Sequence, residues 1–391
     1  MTNFDINNFI NKKVCDMPPS GIRKFFDIVS TMQDAISLGV GEPDFATPWH
    51  IRDAGIYSLE KAQTHYTSNS GLLELREEIC NYYKKFDISY NPSEVLVTVG
   101  GSEGVDLAMR TVLEPGDEVL VHEPSFVCYK PCASMAGGVP ISIETTSENG
   151  FKLTAKQLEE KITPKTKMLV ISYPNNPTGA VMTKEDLEPI AEVVKKHNII
   201  VLSDEIYAEM TYDGKHVSIA SLPEMKDRCI VVNGFSKAFA MTGWRLGFTL
   251  ASEALTKAMT KVHQYGIMSS PTTSQYAAIE ALRNGEKSIQ TMVEEYNDRR
   301  KLIVDAFNNM GLTCFDPQGA FYIFPSIQST GLSSNDFCEK LLLEQKVALV
   351  PGTAFGECGE GFIRVSYAYS IKQINEAVER IQKFMTSIKK A

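Results

Sequence analysis

Short apolar runs alternate with amphipathic segments between residues 94 and 250 of the chain. The apolar runs have the length of buried strands, and the segments between them repeat apolar residues with the period of a helix. The predicted strands are Glu94–Val99, Glu118–His122, Lys167–Ser172, Ile199–Ser203, Cys229–Val232 and Leu246–Leu250. The clearest predicted helices are Gly104–Leu113 and Lys184–His197, and Thr183 with Asp186 resembles a capping box before the second. This alternation predicts an α/β fold with a mostly parallel sheet and helices on both faces.

The pattern changes after residue 285. A long helical segment from Lys287 to Asn309 leads into the apolar run Gly319–Pro325, and a final helix is predicted from about Ile371 to Lys390. We therefore predict a second, smaller α+β domain that the N-terminal segment completes. The large domain is placed at residues 46–285, and the small domain at residues 1–45 and 286–391.

The composition narrows the choice of partners. With 391 residues, of which 43% are hydrophobic, the chain can bury a large core. The net charge of −9 argues against binding to nucleic acid or to an anionic membrane surface. No apolar stretch is long enough for a membrane span, and Met1 to Lys13 lacks the apolar core of a secretory signal. Any bound phosphate must therefore meet a local positive site.

The cysteines and histidines predict the compartment and argue against a metal. The eight cysteines are scattered singly, which is typical of buried or incidental thiols in a reducing compartment. The six histidines show no metal-binding spacing, so no metal site is predicted. A soluble, cytoplasmic, globular protein is expected.

Lys237 lies in the run Asn233–Gly247, after a predicted strand and eight residues before Arg245. A lysine held near a guanidinium is shifted toward its neutral, nucleophilic form. Such an amine can form a Schiff base with an aldehyde, while the arginine holds an anionic group of the same molecule. On spacing alone, however, a lysine and an arginine eight residues apart are usually two solvated side chains. If the pair acts together, an aldehyde that carries a phosphate, such as pyridoxal phosphate, meets both requirements.

Polar or glycine-rich segments follow four of the predicted strands. Ligands of open parallel sheets gather at the carboxyl ends of the strands, so these segments should converge. They are Gly100–Gly104, Tyr173–Gly179, Asp204–Tyr207 and the lysine run. Gly101 and Ser102 at a helix start can offer backbone N–H groups and a hydroxyl to a phosphate, although such pairs also open many helices without a ligand.

Several single residues have a structural and a functional interpretation. Asp204 follows an apolar run, so its carboxylate needs a partner or serves as a helix cap. Tyr207 is either a core tyrosine or a second contact in the same site. Asn176 lies in a turn that prolines and a glycine restrict, which would aim its amide at one point. Arg364, between apolar neighbours, is either paired with an acid or free to bind a ligand carboxylate.

Together these motifs resemble the class I and II aminotransferases, which are pyridoxal-phosphate enzymes of the aspartate aminotransferase fold. The likeness extends from about Ser20 to the C-terminal helix. The motifs that carry it are Gly39–Asp44, Tyr66-Thr67 with Gly71–Arg76, Asn175–Gly179, Asp204–Tyr207, Ser236-Lys237 with Arg245, and Arg364. The resemblance implies fold type I, with a mixed, mostly parallel sheet in the large domain.

The resemblance also implies a role for each matching residue. Lys237 would hold pyridoxal 5′-phosphate and move the proton between the substrate α-carbon and cofactor C4′. Asp204 would pair with the pyridine nitrogen, and Asn176 and Tyr207 would contact the ring oxygen. The remaining implied contacts are Gly101, Ser102, Arg245 and, more weakly, Ser236 on the phosphate; Phe126 stacked on the ring; Gly39, Asn176 and Arg364 on the substrate; and Tyr66 on the phosphate of the neighbouring subunit. That last contact implies a homodimer with shared active sites.

Two positions depart from the family pattern. Gly234 stands where some members carry a phosphate-binding serine. Tyr265 stands where members dedicated to dicarboxylates carry an arginine, and it would contact the substrate side chain. The chain therefore looks nearest the broad subgroup of aromatic, alanine and prokaryotic aspartate aminotransferases.

The resulting hypothesis is an aminotransferase that moves an amino group from an aromatic, aliphatic or aspartate donor to a 2-oxo acid such as 2-oxoglutarate. One alternative keeps the cofactor but predicts β-elimination, as in a C–S lyase. Another is a non-catalytic effector-binding protein related to certain transcription regulators, although the acidic charge disfavours it.

Overall fold

A seven-stranded sheet forms the centre of the larger part of the protein, in a computed structural model that describes residues 4–19, 21, 32 and 34–388. The strands are β1 (Ile36–Ser37), β2 (Val95–Thr98), β3 (Glu118–Glu123), β4 (Val139–Glu144), β5 (Thr166–Ser172), β6 (Ile200–Asp204), β7 (Cys229–Gly234), β8 (Gly247–Leu250), β9 (Tyr322–Ile323), β10 (Val347–Ala348), β11 (Val350–Pro351) and β12 (Ile363–Ser366). The large sheet has the order β2-β8-β7-β6-β5-β3-β4. Strand β8 runs antiparallel to both neighbours, and the other pairs in this sheet are parallel.

The predicted mostly parallel sheet is confirmed. All six predicted strands lie in it, with ends that differ by one or two residues. Strand β4 was not predicted. It forms an edge of the sheet, Val139 is exposed, and Pro140 interrupts the apolar pattern. An edge strand buries too few residues to produce the continuous apolar run expected of a central one.

Both faces of the sheet are buried. Successive side chains of a strand point to opposite faces, and both sets lie in apolar clusters. On β3, Val119 and Val121 join one apolar cluster and Leu120 joins the other. The α-helices of the described residues are α1 (Lys12–Cys15), α2 (Trp49–Glu60), α3 (Leu73–Tyr83), α4 (Gly100–Val112), α5 (Tyr129–Met135), α6 (Ala155–Lys161), α7 (Lys184–His197), α8 (Glu253–Gly266), α9 (Thr272–Asn284), α10 (Glu286–Asn309), α11 (Ser334–Gln345) and α12 (Ile371–Ile388).

Helix α7 and its cap agree with the prediction, whereas α4 begins earlier than expected. Thr183 accepts a hydrogen bond from the Asp186 backbone N–H, and the Asp186 carboxylate accepts from the Thr183 N–H at 2.8 Å. Helix α4 begins at Gly100 rather than at Gly104. Glycine has a low helix propensity, so the sequence pattern understated this helix by one turn. The earlier start puts Gly101 and Ser102 in its first turn.

The C-terminal region forms a second sheet and a separate apolar cluster. Strands β11, β12 and β9 form an antiparallel sheet, and β1 pairs with β10 in parallel. The cluster includes Phe307 on α10, Phe337 on α11 and Phe384 on α12. The domain limits stay a prediction. Four positions used in the predictions lie outside the described residues: the domain limits 1 and 391, the start of the family likeness at 20 and the predicted helix end at 390.

Two findings bear on partners. Within the described part of the chain, no helix is both long and apolar enough to span a membrane. The same residues contain no group of three or more His, Cys, Asp or Glu side chains arranged to hold a metal ion.

Candidate active site

A cavity of about 340 Å³ lies at the carboxyl end of the large sheet. It collects residues that follow β2, β3, β5, β6 and β7, and Arg364 from β12. The residues predicted for the site that line it are Gly101, Ser102, Phe126, Asn176, Asp204, Tyr207, Ser236, Lys237, Arg245 and Arg364. Helix–strand connectivity therefore brings together polar segments that are far apart in sequence.

Lys237 is the amine of this cavity. Its Nζ donates a hydrogen bond to the Gly41 carbonyl oxygen at 2.5 Å and lies 5.9 Å from the centre of the Tyr207 ring. Burial lowers the pKa of Lys237 to about 8, while nearby Glu42 opposes that shift and the arginines 364 and 245 add to it. The sequence spacing predicts that Arg245 lowers this pKa. The larger cause is burial, and Arg364 contributes as well.

Asp204 ends β6 with its carboxylate in the cavity wall, and it is only 8% exposed. Tyr129 donates its hydroxyl hydrogen to Asp204 Oδ2 at 2.8 Å, and the Ile206 N–H donates to Oδ1 at 3.1 Å. Burial raises the pKa of Asp204, whereas these two hydrogen bonds and Lys237 oppose the rise. No ion pair to Asp204 is found among the described residues. The carboxylate is therefore suited to a cationic N–H group of a ligand.

Arg245 and the first turn of α4 form the cationic end of the cavity. The Arg245 Nη1 donates to the Thr242 carbonyl oxygen at 3.0 Å, and Nη2 lies 2.7 Å from where a Cβ on Gly100 would be. Only a glycine at position 100 lets the guanidinium approach this turn so closely. Helix N-terminal N–H groups, the Ser102 hydroxyl and a guanidinium are donors that suit a phosphate. Ser236 lines the same cavity.

Gly234 explains one departure from the family pattern. It pairs with Gly247 across β7 and β8, and a Cβ there would lie 3.0 Å from both the Gly247 Cα and the Leu246 carbonyl oxygen. A serine would thus have to displace backbone atoms of β8. The close approach of the two strands therefore disfavours a side-chain phosphate donor at this position.

Arg364 lies at the opposite end and is almost completely buried, at 2% exposure. Its Nη1 donates to Asn176 Oδ1 at 2.8 Å, and Nη2 donates to the Gly39 carbonyl oxygen. Its Nε has no partner, and within the described ranges no carboxylate forms an ion pair with it. The Tyr322 and Phe355 rings lie 4.6 and 4.7 Å from its Cζ. A buried cation without an anion is costly, so this arrangement favours binding of a carboxylate ligand.

Two side chains of the site gave no usable signal in the sequence. Tyr129 begins α5 and holds Asp204, and Tyr322 on β9 shares a 2.7 Å hydrogen bond with Tyr207. Nothing in the local sequence distinguishes either residue from a core tyrosine, and both are buried. Their partners come from other strands, which a linear pattern does not reveal.

Three predicted residues do not line the cavity. Gly39 lies behind the cavity wall, where its carbonyl oxygen accepts a hydrogen bond from Arg364, and the other two are tyrosines that lie apart from the cavity. Tyr66 is 81% exposed, and Tyr265 near the end of α8 is 88% exposed. Neither lines the cavity of this chain. A role in catalysis for either would require a second copy of the chain, and both roles stay predictions.

Residues 33–381 match the family model described as aminotransferase class I and II. The chain belongs to this family. It is 53% identical over 382 residues to the YugH protein of Bacillus subtilis, covering 97% of this chain and 99% of that protein. It is 48% identical to the aspartate aminotransferase of Pyrococcus abyssi, covering 94% and 96%.

A solved structure supports the same assignment. The aromatic aminotransferase of Pyrococcus horikoshii superimposes with a TM-score of 0.90 at 46% identity, covering 93% of this chain and 99% of that one. The predicted aminotransferase fold, family and enzyme class are thereby confirmed, and the chain catalyses amino-acid transamination. β-Elimination and a non-catalytic role are not favoured.

Proposed function

We propose that this aminotransferase binds pyridoxal 5′-phosphate at Lys237 and prefers donors with aromatic or aliphatic side chains. The observation that carries the proposal is the cavity's set of charges. Two guanidinium groups without a carboxylate partner among the described residues, Arg245 and Arg364, flank a lysine of lowered pKa beside the buried Asp204. Phosphate, amino-acid carboxylate, aldehyde and pyridine nitrogen each meet a complementary group.

The cavity contains side chains of the chemical types that each functional group of the cofactor requires. Arg245, Gly101 and Ser102, with Ser236, would hold the phosphate, and Lys237 would hold the aldehyde carbon. Asp204 would hold the ring nitrogen, Asn176 and Tyr207 would contact the ring oxygen, and Phe126 would cover the ring. When bound, the cofactor supplies an electron-withdrawing ring that stabilises negative charge at the substrate α-carbon.

The protein's own groups would then bind, orient and move one proton. Arg364 binds the donor's α-carboxylate, and Asn176 and the Gly39 carbonyl orient its guanidinium. The neutral Lys237 amine would accept the proton of the donor's α-carbon at Nζ and later give it up again. Its lowered pKa suits it to both steps near neutral pH, because a general base works best with a pKa near the working pH. Asp204 keeps the ring nitrogen protonated.

The donor preference rests on the cavity lining. Beside Phe126 and Tyr322, the described lining contains Val40 and the acidic Glu42, and no arginine besides Arg245 and Arg364. Arg245 would hold the phosphate and Arg364 the α-carboxylate, so the described lining offers no further arginine to an acidic donor side chain. Relatives named for aspartate and for aromatic amino acids have nearly the same identity to this chain, so identity does not separate the two. We propose 2-oxoglutarate as the acceptor.

Two further parts of the proposal concern assembly and location. Tyr66 would reach the phosphate of a second copy, which makes the functional unit a homodimer with shared active sites. Its 81% exposure in the single chain is consistent with burial in such a dimer. A cytoplasmic location stays a prediction from the scattered, unpaired cysteines.

A lysine substitution tests the proposal. Lys237→Ala should abolish turnover of every donor, because the amine that carries the proton is lost. The exposed Lys257→Ala is a matched control that should leave turnover unchanged. The measurement is 2-oxo acid formation from aromatic, aliphatic and acidic donors with 2-oxoglutarate. Near-normal turnover in Lys237→Ala would overturn the role of Lys237, and a strong preference for aspartate would overturn the donor assignment.

A further inference from the structure

Glu205 follows Asp204 directly but faces the opposite side of the sheet. Its side chain is fully buried, and it does not line the cofactor cavity. Ser203 donates a hydroxyl hydrogen bond to Glu205 Oε1 at 3.1 Å, and Ser218 donates to the same oxygen. His216 Nε2 lies 3.2 Å from Oε2. A buried carboxylate with this many polar neighbours forms a specific structure rather than filling space.

Tyr83 continues this network from β6 to β7. Its hydroxyl donates to Glu205 Oε2 at 3.3 Å and accepts from the Asn233 side-chain amide at 2.8 Å. The oxygen of that same Asn233 amide accepts from the Gly234 N–H at 2.7 Å. A chain of three hydrogen bonds therefore runs from the residue after Asp204 to the end of β7, three residues before Lys237.

The backbone also links the two strand ends, because β6 and β7 are paired as far as Asp204 and Val232. The Glu205 N–H donates to the Val232 carbonyl oxygen at 2.8 Å, just before the two strands separate to their different loops. Beyond that bond, the side-chain network of Glu205, Tyr83 and Asn233 supports both strand ends from behind the cavity. We propose that Tyr83 and Glu205 are positioning residues that set the distance between Asp204 and Lys237. This inference rests on the function proposed above.

Tyr90 provides an internal comparison. It belongs to the same apolar cluster as Tyr83, with ring centres 6.3 Å apart in an edge-to-face arrangement, and it is 6% exposed. Its hydroxyl, however, has no hydrogen-bond partner. Tyr83→Phe and Tyr90→Phe thus remove the same atom from neighbouring rings, and only the first change breaks the network.

The experiment compares these two variants in two assays. In the first, the apoenzyme is followed by hydrogen–deuterium exchange in the peptide that covers Asn233 to Lys237. In the second, kcat and KM are measured for the donor that the wild-type enzyme prefers. Tyr83→Phe should raise deuterium uptake in this peptide and lower kcat about 10-fold with KM changed by less than about twofold, because small misplacements of reacting groups slow catalysis strongly. Tyr90→Phe should change neither.

Further variants keep the inference open to contradiction. If Tyr83→Phe does not fold, Asn233→Ala breaks the same chain at its other end and should give the same two changes. Because both residues belong to one network, the double variant should cost less than the sum of the single ones. Equal behaviour of Tyr83→Phe and Tyr90→Phe in both assays would overturn the inference. A lowered Tm in Tyr83→Phe without the local exchange or kcat change would overturn it too, since that outcome indicates stabilisation only.

The exchange assay separates this inference from the proposed function. It is done on the apoenzyme, so it reports on the strand ends whether or not the wild-type enzyme transaminates with the expected donors. If the wild-type enzyme failed to transaminate with the expected donors, the exchange result would still be valid. If Tyr83→Phe left deuterium uptake in Asn233 to Lys237 unchanged, the positioning role would be rejected even though the wild-type enzyme is active.

Discussion

Arg245 and Arg364 both direct a guanidinium into the cavity, yet their surroundings differ. Arg245 is exposed, and one of its N–H groups donates to a neighbouring carbonyl oxygen. Arg364 is 2% exposed, lies against two aromatic rings and leaves its Nε unpartnered. Neither forms an ion pair with a carboxylate in the described part of the chain. An exposed cation keeps much of its hydration, whereas a buried one depends on its ligand.

This difference has a consequence for function. An anion held by Arg245 would also meet helix N–H groups and hydroxyls, so several weaker bonds would share its charge. An anion bound to Arg364 meets one desolvated guanidinium, which concentrates the interaction in one pair. We therefore expect substitutions at position 364 to act on substrate use, and substitutions at position 245 to act on cofactor affinity.

The largest effect is expected for Arg364→Ala. Its loss should lower kcat/KM for all amino-acid donors by about 10²–10³-fold, because truncating a buried, hydrogen-bonded charge leaves its partner unpaired. Pyridoxal phosphate affinity, measured by titration of the apoenzyme, should change little. A variant that loses cofactor affinity and donor use in parallel would show that the two ends of the cavity are not separate.

A smaller effect is expected for Arg245→Ala. Affinity for pyridoxal phosphate should fall about 10–100-fold, the range for charge-assisted hydrogen bonds to a phosphate. Because the arginine is exposed, added salt should reduce the difference between wild type and variant. The control is Arg110→Ala, which changes an exposed arginine on α4, the helix whose first turn is proposed to hold the phosphate, and it should leave affinity unchanged.

The two arginines should also differ in their influence on Lys237. With the pKa of Lys237 near 8, the rate at which the apoenzyme combines with pyridoxal should rise with pH and level off above about 8, as the amine loses its proton. Arg364→Gln or Arg245→Gln removes a like charge, so the midpoint should move up, and more for Arg364. Glu42→Gln removes an opposite charge and should move the midpoint down. Shifts of the same sign in all three variants would contradict this account.

The smallest effect is expected for Tyr129→Phe, which changes a residue that lines the same cavity as the two arginines. Tyr129→Phe removes one hydrogen bond to Asp204, so the pKa of that carboxyl should rise further. Pyridoxal phosphate affinity should fall about 3–10-fold, the range for one ordinary hydrogen bond, because Tyr129 acts on the cofactor only through Asp204. The control is Tyr90→Phe, and titration of each apoenzyme measures the change. An unchanged affinity would mean that Ile206 alone suffices to hold the carboxylate.

Local pattern was sufficient where one element decides its own structure. Helix α7 was predicted to the residue, since a capping box and a 3.6-residue apolar repeat both lie within it. The start of α4 and the edge strand β4 were not predicted correctly. The start of α4 was missed because its first residues are glycines, and β4 was missed because its side chains are only partly buried. In both cases tertiary packing, not local preference, stabilises the element.

Some residues of the site could likewise be predicted from the sequence, and others could not. Lys237, Asp204, Asn176 and the Gly101–Ser102 turn could be found from sequence, because each follows a strand that reads as buried. Tyr129 and Tyr322 could not, since their importance lies in partners more than 70 residues away along the chain. The reason for glycine at position 234 was also hidden until β8 was seen to pack against it.

The sequence by itself determined which chemistry is present and where along the chain it falls. Parallel strand–helix units bring strand ends to one edge, so residues at those ends meet without further information. Only the tertiary structure decided which cations remain unpaired and how far the pKa of Lys237 falls. Burial and charge pairing are sums over residues from many elements, and no single stretch of sequence contains them.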